Sequence, residues 1–493
     1  MADSILGRAR PLLVARLAGA ALTFAVPMVL ARALLPDAYG TFKQAWLLSQ
    51  TLQLVLPMGL TQSLYYFVPR DPANHWRYVG QTLLVTAGLG ALAAALLLAG
   101  APLVQATLGN PDLTRNLPWI ALFTALGLAG APLDVAWNAA GRVTAAALVR
   151  VGTEVARGAA MVAGAALTGR VEGVFAGIAV AAGLRAVVTW WALGKHGLRP
   201  ELALLRRMAG YALPFGAAFL LIVPQQQYHL YAVAAAVSAA AFAVYSVGCF
   251  QLPVVDILYT PISELLQIGL AELDGAGRPR HAGLALFHEA VLQLSFAFVP
   301  LTGLLLVAAP ELITFLFSAR YQASVPIFRV AVIPVALAAL PLDGVMRARA
   351  QNRYMLVLSA LKLAATLALV TAGLRAVGPL GALLGWVVAE ALARAALLHR
   401  TGQLFEVPLR AVLPWRALLR QGAATAVAMP AAWVALQLPG VPQLARLAAA
   451  GIAFALAYVG LSWARGWLPG GWVGLFRGRR AAVAAGERAP AEG

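Results

Sequence analysis

The chain of 493 residues carries a formal net charge of +18, yet only 11% of its residues are charged and 61% are hydrophobic. Soluble globular domains devote about a quarter of their residues to charge, so this composition and a mean hydropathy of +0.79 exclude one and specify an integral membrane protein. A single cysteine, Cys249, excludes a disulfide framework and a cysteine metal cluster.

In chain order, apolar stretches of roughly 20 residues predict fourteen spans. They lie near 12–34, 42–68, 79–106, 118–138, 144–167, 172–193, 211–235, 240–268, 284–308, 327–348, 355–374, 379–399, 417–437 and 445–468. The first follows Arg8 and Arg10, and Ala31-Arg32-Ala33 imitates a signal-peptidase site. Its apolar core is too long for a signal peptide, which predicts a retained helix. Loops on the side of the N-terminus hold 21 Lys and Arg, against six on the other side (Arg32, Arg115, Arg170, Arg320, Arg375 and Arg446). The positive-inside rule then places both termini in the cytoplasm. This bias accounts for most of the net charge without a nucleic-acid partner, and FRGRR (476–480) reads as a topology and anionic-lipid signal.

Self-comparison points to a duplicated unit. Pro132-Leu133-Asp134 recurs 209 residues later as Pro341-Leu342-Asp343, with Arg142 and Arg353 shortly after. Pro11 and Tyr39 match Pro214 and Phe242 at a shift of 203, and Gly173 and Gly177 match Gly381 and Gly385 at 208. Slowly drifting offsets are what a repeat with small loop insertions leaves. The expected fold is an all-α polytopic helix bundle of two six-helix lobes plus two C-terminal helices. Its parts are a lobe over 1–193, a cytoplasmic linker over 194–210 with an amphipathic surface helix, a second lobe over 211–400, two additional spans over 401–468 and a basic cytoplasmic tail over 469–493.

Polar residues then stand out inside the spans. A helix turns about 100° per residue, so positions three, four or seven apart share a face. Arg16, Thr23 and Pro27 do so in the first span, and Lys43, Trp46, Gln50, Gln53 and Pro57 in the second. The eighth carries Tyr245, Cys249, Asp256, Tyr259, Thr260, Ser263 and Gln267. The seventh contains IVPQQQYHLY (222–231), where Gln225 and His229 are four apart and Gln226 is at the repeat position of Thr23. Amides and imidazole are costly in hydrocarbon unless they meet water or a partner. Four such stripes, with Arg16 and Lys43, predict a wet inter-lobe cavity. Gln225, Gln226, Gln227, Tyr228 and His229 can exchange hydrogen bonds with hydroxyl groups and several are expected to line it, although three consecutive glutamines spread over about 200° and cannot all do so. Arg150, Glu154 and Arg157 have the spacing of an internal ion pair. Asp134 with Arg142 and Asp343 with Arg353 read as structural latches at the cytoplasmic ends of the fourth and tenth spans. No HExxH pattern and no nucleotide-binding P-loop occurs, so neither a metal site nor an ATPase is expected.

The runs LARALLPDAYGTFKQAWLL (30–48), GLTQSLYYFVPR (59–70) and APELITFLFSARYQASVPIFRV (309–330) resemble the polysaccharide-transporter family of the multidrug/oligosaccharidyl-lipid/polysaccharide exporter superfamily. The resemblance covers about the first 400 residues. It implies a non-enzymatic transporter that flips a polyprenyl-diphosphate-linked oligosaccharide across a bacterial inner membrane, without a cofactor and as a monomer. Membrane lipids, and a polymerase or glycosyltransferases, would be partners. A diphosphate needs cations, for which Arg16 and Lys43 are best placed, and sugars need groups such as Trp46, Gln50, Gln53 and Tyr259. With no nucleotide site, a gradient-driven cycle would use an intramembrane carboxylate, for which Asp256 is the candidate. A lipid II flippase, which also has fourteen spans, is the alternative. Drug exporters of the superfamily have twelve spans and acidic cavities. A membrane polymerase or ligase needs a larger outer loop than the stretch near 309–326 provides.

Overall fold

The computed structural model describes residues 25–195, 198–250, 252–470 and 472, whose regular structure is all helical, without a strand. By packing, the chain divides into two compact units, Met1–Val247 and Gly248–Gly493. The first holds α1 (25–33), α2 (Pro36–Val55), α3 (Leu60–Arg70), α4 (His75–Ala99), α5 (Ala101–Leu108), α6 (Pro111–Ala129), α7 (Pro132–Ala139), α8 (Val143–Thr168), α9 (Val171–Gly194), α10 (Leu202–Ala236) and α11 (Ala239–Gly248, its last residue past the division). The second holds α12 (Pro253–Gly275), α13 (Gly283–Phe317), α14 (Val325–Ala331), α15 (Ile333–Leu337), α16 (Leu342–Ala348), α17 (Asn352–Val377), α18 (Pro379–Phe405), α19 (Leu409–Val412), α20 (Trp415–Leu436) and α21 (Gln443–Ala464).

The expected spans from the second onward each coincide with one helix or a broken run of helices. Ten helical segments among the described residues are long and apolar enough to cross a bilayer. The other four expected spans fall short for local reasons. Most of the first lies outside the described residues. The second is broken between α2 and α3 at Gly59, whose φ of 75° is left-handed. Arg150, Glu154 and Arg157 on α8, and Arg416, Arg420 and Gln421 on α20, lower the hydropathy of the fifth and thirteenth.

Proline explains several breaks. Leu252 is extended at φ −103° and ψ 106° before Pro253, because a residue preceding proline is disfavoured in the α region. The eighth span is therefore two helices, α11 and α12. Asp256, read from sequence as midway along that span, is in the first turn of α12. The expected surface helix of the linker is continuous with the seventh span in the 35-residue α10, which packs on α2, α3 and α5 of the first unit. The packing division at Val247 and the division suggested by the repeat thus differ.

The first unit's core joins α3, α4, α7, α9 and α10 through Leu64, Phe67, Tyr78, Leu83, Leu133, Leu193 and Met208. In the second, Leu266, Leu270, Phe287, Val291, Val345, Met346 and Phe405 join α12, α13, α16 and α18. A further cluster packs Phe296 of α13 against Ala428 of α20 and Phe454 and Tyr458 of α21. Lipid tails are as apolar as leucine, so small residues that let helices approach closely matter here more than hydrophobic burial. The α8–α9 and α17–α18 hairpins show this at corresponding positions. A Cβ on Gly164 would lie 2.0 Å from the Gly173 carbonyl oxygen, and one on Gly373 would lie 2.1 Å from that of Gly381. Gly177 meets the Ala160 carbonyl and Gly385 that of Leu369 in the same way, at 2.2 and 2.3 Å.

Candidate functional site

The polar residues of α2 divide between two faces. Thr41, Gln44 and Ser49 are buried, whereas Lys43, Trp46 and Gln53 are half-buried and Gln50 is exposed. On the buried face, Asn110 donates to Gln44 Oε1 (2.7 Å) and Thr41 Oγ1 (2.9 Å), and Gln44 reaches the Ala234 carbonyl of α10 (3.4 Å). Ser49 shares a hydrogen bond with Thr124 of α6 (2.7 Å), and Gln53 donates to Ser49 (2.9 Å). Trp46 stacks on Phe123 with ring centroids 5.9 Å apart, and the Arg157 guanidinium lies 5.3 Å from its ring centre. Arg157 also pairs with Glu154 on α8. Arg16 lies outside the described residues.

The glutamine run of α10 is split as its angular spread requires. Gln225 and His229 are buried, Gln227 and Tyr228 are half-buried, and Gln226 is exposed. His229 Nδ1 is 2.7 Å from the Tyr245 hydroxyl of α11. Thr51 of α2 donates to Gln227, and Tyr231 donates to Thr51 at 2.7 Å. The sequence reading included Gln227 among the residues able to hydrogen-bond in a cavity but missed its partners Thr51 and Tyr231, because each alone resembles an ordinary intramembrane polar group.

In the second unit Asp256 is exposed, and the Tyr259 hydroxyl donates to Asp343 of α16. The aspartates of the repeated Pro-Leu-Asp motif are paired, but not with the arginines that follow them. Asp134 bonds Arg185 of α9 at 3.0 Å, and Asp343 bonds Arg347 one turn on. Arg142 and Arg353 are exposed, at or just after the N-terminus of the next helix, where their side chains leave the bundle. The backbone of the motif repeats closely. Gly141 and Ala350 both have left-handed φ, 79° and 52°, and the next amide bonds back to the Trp137 carbonyl (2.8 Å) or the Met346 carbonyl (2.9 Å).

Arg185 and Arg394 were also missed, although they are separated by the 209-residue shift of that motif. Arg185 Nε donates to the Gly130 carbonyl (3.0 Å), and Arg394 donates to the carbonyls of Leu337 (2.8 Å) and Leu340 (3.4 Å). Glu390 of α18 bonds both Arg394 (2.7 Å) and Lys362 of α17 (2.5 Å). No group of three or more His, Cys, Asp or Glu that could hold a metal occurs among the described residues. Each of these elements presents amides, hydroxyls, aromatic rings or guanidinium and ammonium groups, chemistry that can hydrogen-bond a polar molecule or pair with an anion.

No curated protein matches the chain in sequence. Its fold is similar to that of the lipid II flippase MurJ in an inward closed conformation, with a TM-score of 0.71 at 11% identity over 93% of this chain and 98% of that one. A mutant of the Vibrio cholerae MATE transporter VcmN matches with a TM-score of 0.54 at 14% identity, over 82% and 96% of the two chains. An outward-facing multidrug resistance MATE transporter of the MOP superfamily matches with a TM-score of 0.50 at 12% identity, over 81% and 97%. At these identities the likeness concerns the fold, that of a multi-pass helical membrane protein. The profile described as polysaccharide biosynthesis protein matches residues 29–326, more than half of the sequence, and the chain belongs to that family.

Proposed function

We propose that this chain is a flippase that moves polyprenyl-diphosphate-linked oligosaccharide repeat units from the cytoplasmic to the periplasmic face of a bacterial inner membrane, with both termini cytoplasmic. The observation that carries the reading is membership of a polysaccharide biosynthesis family on a flippase-like membrane fold. Lys43 and Arg16 serve the diphosphate, and the sugars meet Gln50, Gln53, Gln225, Gln226, Tyr228, His229 and Tyr259. Trp46, already engaged by Phe123 and Arg157, forms a wall beside them. The protein chain makes no covalent change to its cargo. The second reading, lipid II as substrate, is favoured by the likeness to MurJ over nearly the whole chain.

The two separate in vesicles reconstituted with purified protein. Repeat-unit lipid and lipid II are supplied in parallel without nucleotide, and exposure of each headgroup on the far leaflet is followed. Translocation of the repeat-unit lipid alone is expected. Movement of lipid II alone would transfer the assignment to the second reading, and movement of neither would defeat both.

A further inference from the structure

Where α3 ends and α10 begins, arginines and aromatic rings gather that the proposed function does not use. Tyr66 of α3 stacks on Tyr211 of α10 with ring centroids 4.3 Å apart, and Phe67 meets both rings edge to face at 5.0 and 5.6 Å. Phe67 belongs to the core of the first unit, so this aromatic platform is fixed to it. Two guanidinium groups rest on the platform. That of Arg70 lies 3.7 Å from the centre of the Tyr66 ring, and that of Arg207 lies 5.6 Å from the centre of the Phe67 ring. An aromatic face attracts a cation through its quadrupole but takes none of its N–H donors, so a guanidinium held in this way keeps them for an acceptor.

The corner does not supply that acceptor. Arg70 and Arg207 are both exposed, and neither has a hydrogen bond or an ion pair among the described residues. The nearby carboxylates are engaged by other groups: Asp71, within electrostatic reach of Arg207, accepts from Asn74 and Tyr78, and Glu201 pairs with Arg77. Arg206, also exposed, adds a third cation beside Arg207. Guanidinium forks with open donors, held in place by rings, are complementary to the oxygens of a phosphate.

The position on α10 points to a lipid phosphate. Arg207 is the last charged residue of α10, and the run from Met208 to Ala236 has no Asp, Glu, Lys or Arg, which is long enough to cross the hydrocarbon. Arg70 and Arg207 therefore stand at the level of the headgroups, with Tyr66 and Tyr211 where interfacial tyrosines concentrate. From Arg206, the exposed residues Leu213, Ala217 and Leu220 continue at helical spacing, and Gly210 leaves open space between them, so a chain attached to a bound phosphate has an apolar track to follow. A site in the headgroup layer meets bilayer phospholipid continuously, and its excess of positive charge selects an anionic one.

We propose that Arg70 and Arg207, braced on Tyr66, Tyr211 and Phe67, form a binding site for the phosphate of an anionic phospholipid, with Arg206 as an outlying cation. The site ties the α3–α10 corner to the headgroups of one leaflet, the cytoplasmic one in the proposed topology, and it does not depend on the cargo.

The test is lipid binding by the purified full chain in detergent, read by native mass spectrometry with phosphatidylglycerol and, separately, phosphatidylcholine. Both lipids carry a phosphate, but only the first has a net negative charge, and the wild type should retain it in preference. Arg70→Gln combined with Arg207→Gln should weaken phosphatidylglycerol binding by roughly thirtyfold and leave phosphatidylcholine binding and the unfolding midpoint unchanged. Arg142→Gln combined with Arg353→Gln removes the same charge from exposed positions elsewhere and should leave the preference intact. Wild-type binding by the Arg70/Arg207 variant, or an equal loss in the Arg142/Arg353 variant, would overturn the site. Displacement of phosphatidylglycerol by equimolar polyprenyl diphosphate would overturn the phospholipid assignment in favour of a lipid-linked cargo, and displacement by inorganic phosphate would overturn it in favour of a free anion.

Discussion

At the corner where α3 meets α4 and α9 leads into α10, a few polar side chains, from buried Tyr78 to exposed Arg77, tie distant parts of the first unit. Asn74 donates to both oxygens of Asp71 (3.1 Å each), Tyr78 donates to Asp71 (3.0 Å), and Arg77 pairs with Glu201 across 124 residues. The Asn74 amide holds the Asp71 carboxyl below its ordinary 3.8, and Arg77 holds that of Glu201 below 4.5. A carboxyl lowered in the folded state adds stability above its unfolded value and loses it as pH falls through the folded value. Between about pH 5 and 3, protection factors at 198–205 should therefore fall, modestly because the groups are exposed and screened by salt. Glu201→Gln should weaken that pH dependence and leave the part due to Asp71; identical profiles for the variant and the wild type would show that Glu201 takes no part in acid loosening. The ion pairs also show what residue spacing conveys. Arg157 with Glu154 is legible because three positions share a helix face, whereas Asp134 and Arg185 are 51 positions apart and meet only through the fold.

At the scale of elements, the hairpins α8–α9 and α17–α18 depend on backbone contact that a single methyl group would disturb. A Cβ on Gly173 would lie 2.4 Å from the Gly164 carbonyl oxygen, and one on Gly381 would lie 2.0 Å from that of Gly373. Gly173→Ala and Gly381→Ala should each cost about 1–3 kcal/mol, seen as a lower midpoint of thermal unfolding in detergent. Gly152→Ala on α8, where a Cβ meets nothing within 4 Å, is the matched control and should leave the midpoint unchanged or raise it. A comparable loss in all three variants would argue against close packing as the cause. The same scale limits what proline reveals. Pro253 and Pro341 coincide with helix starts, yet Pro214 and Pro224 lie inside α10 and Pro300 and Pro310 inside α13 without ending them. Proline removes one donor, but neighbouring helices decide whether the freed carbonyl bends the chain or is tolerated.

For the whole molecule, the open mechanistic question is the source of energy. We propose that, if an ion gradient drives the cycle, Asp256 is the coupling carboxylate; it is exposed in the first turn of α12. Asp256→Asn should lower gradient-driven translocation and abolish its response to external pH while leaving the protein folded in the membrane. Gradient-driven flipping that keeps its pH response in this variant would move the coupling elsewhere. Class, helical architecture and family were legible in the chain itself, since a bilayer turns apolar run length directly into helices and the motifs at 30–48, 59–70 and 309–330 carry the family resemblance. The repeat was legible too, as far as the 209-residue shift of Pro-Leu-Asp, a shift that already relates Arg185 to Arg394. Tertiary structure alone decided which carbonyls those arginines reach, that Asp134 and Asp343 bond Arg185 and Arg347, and that Tyr259 meets Asp343. Hydropathy and helical period fix the face on which a side chain emerges, but a hydrogen bond between helices also depends on their separation, rotation and breaks, and those follow from packing all along their length.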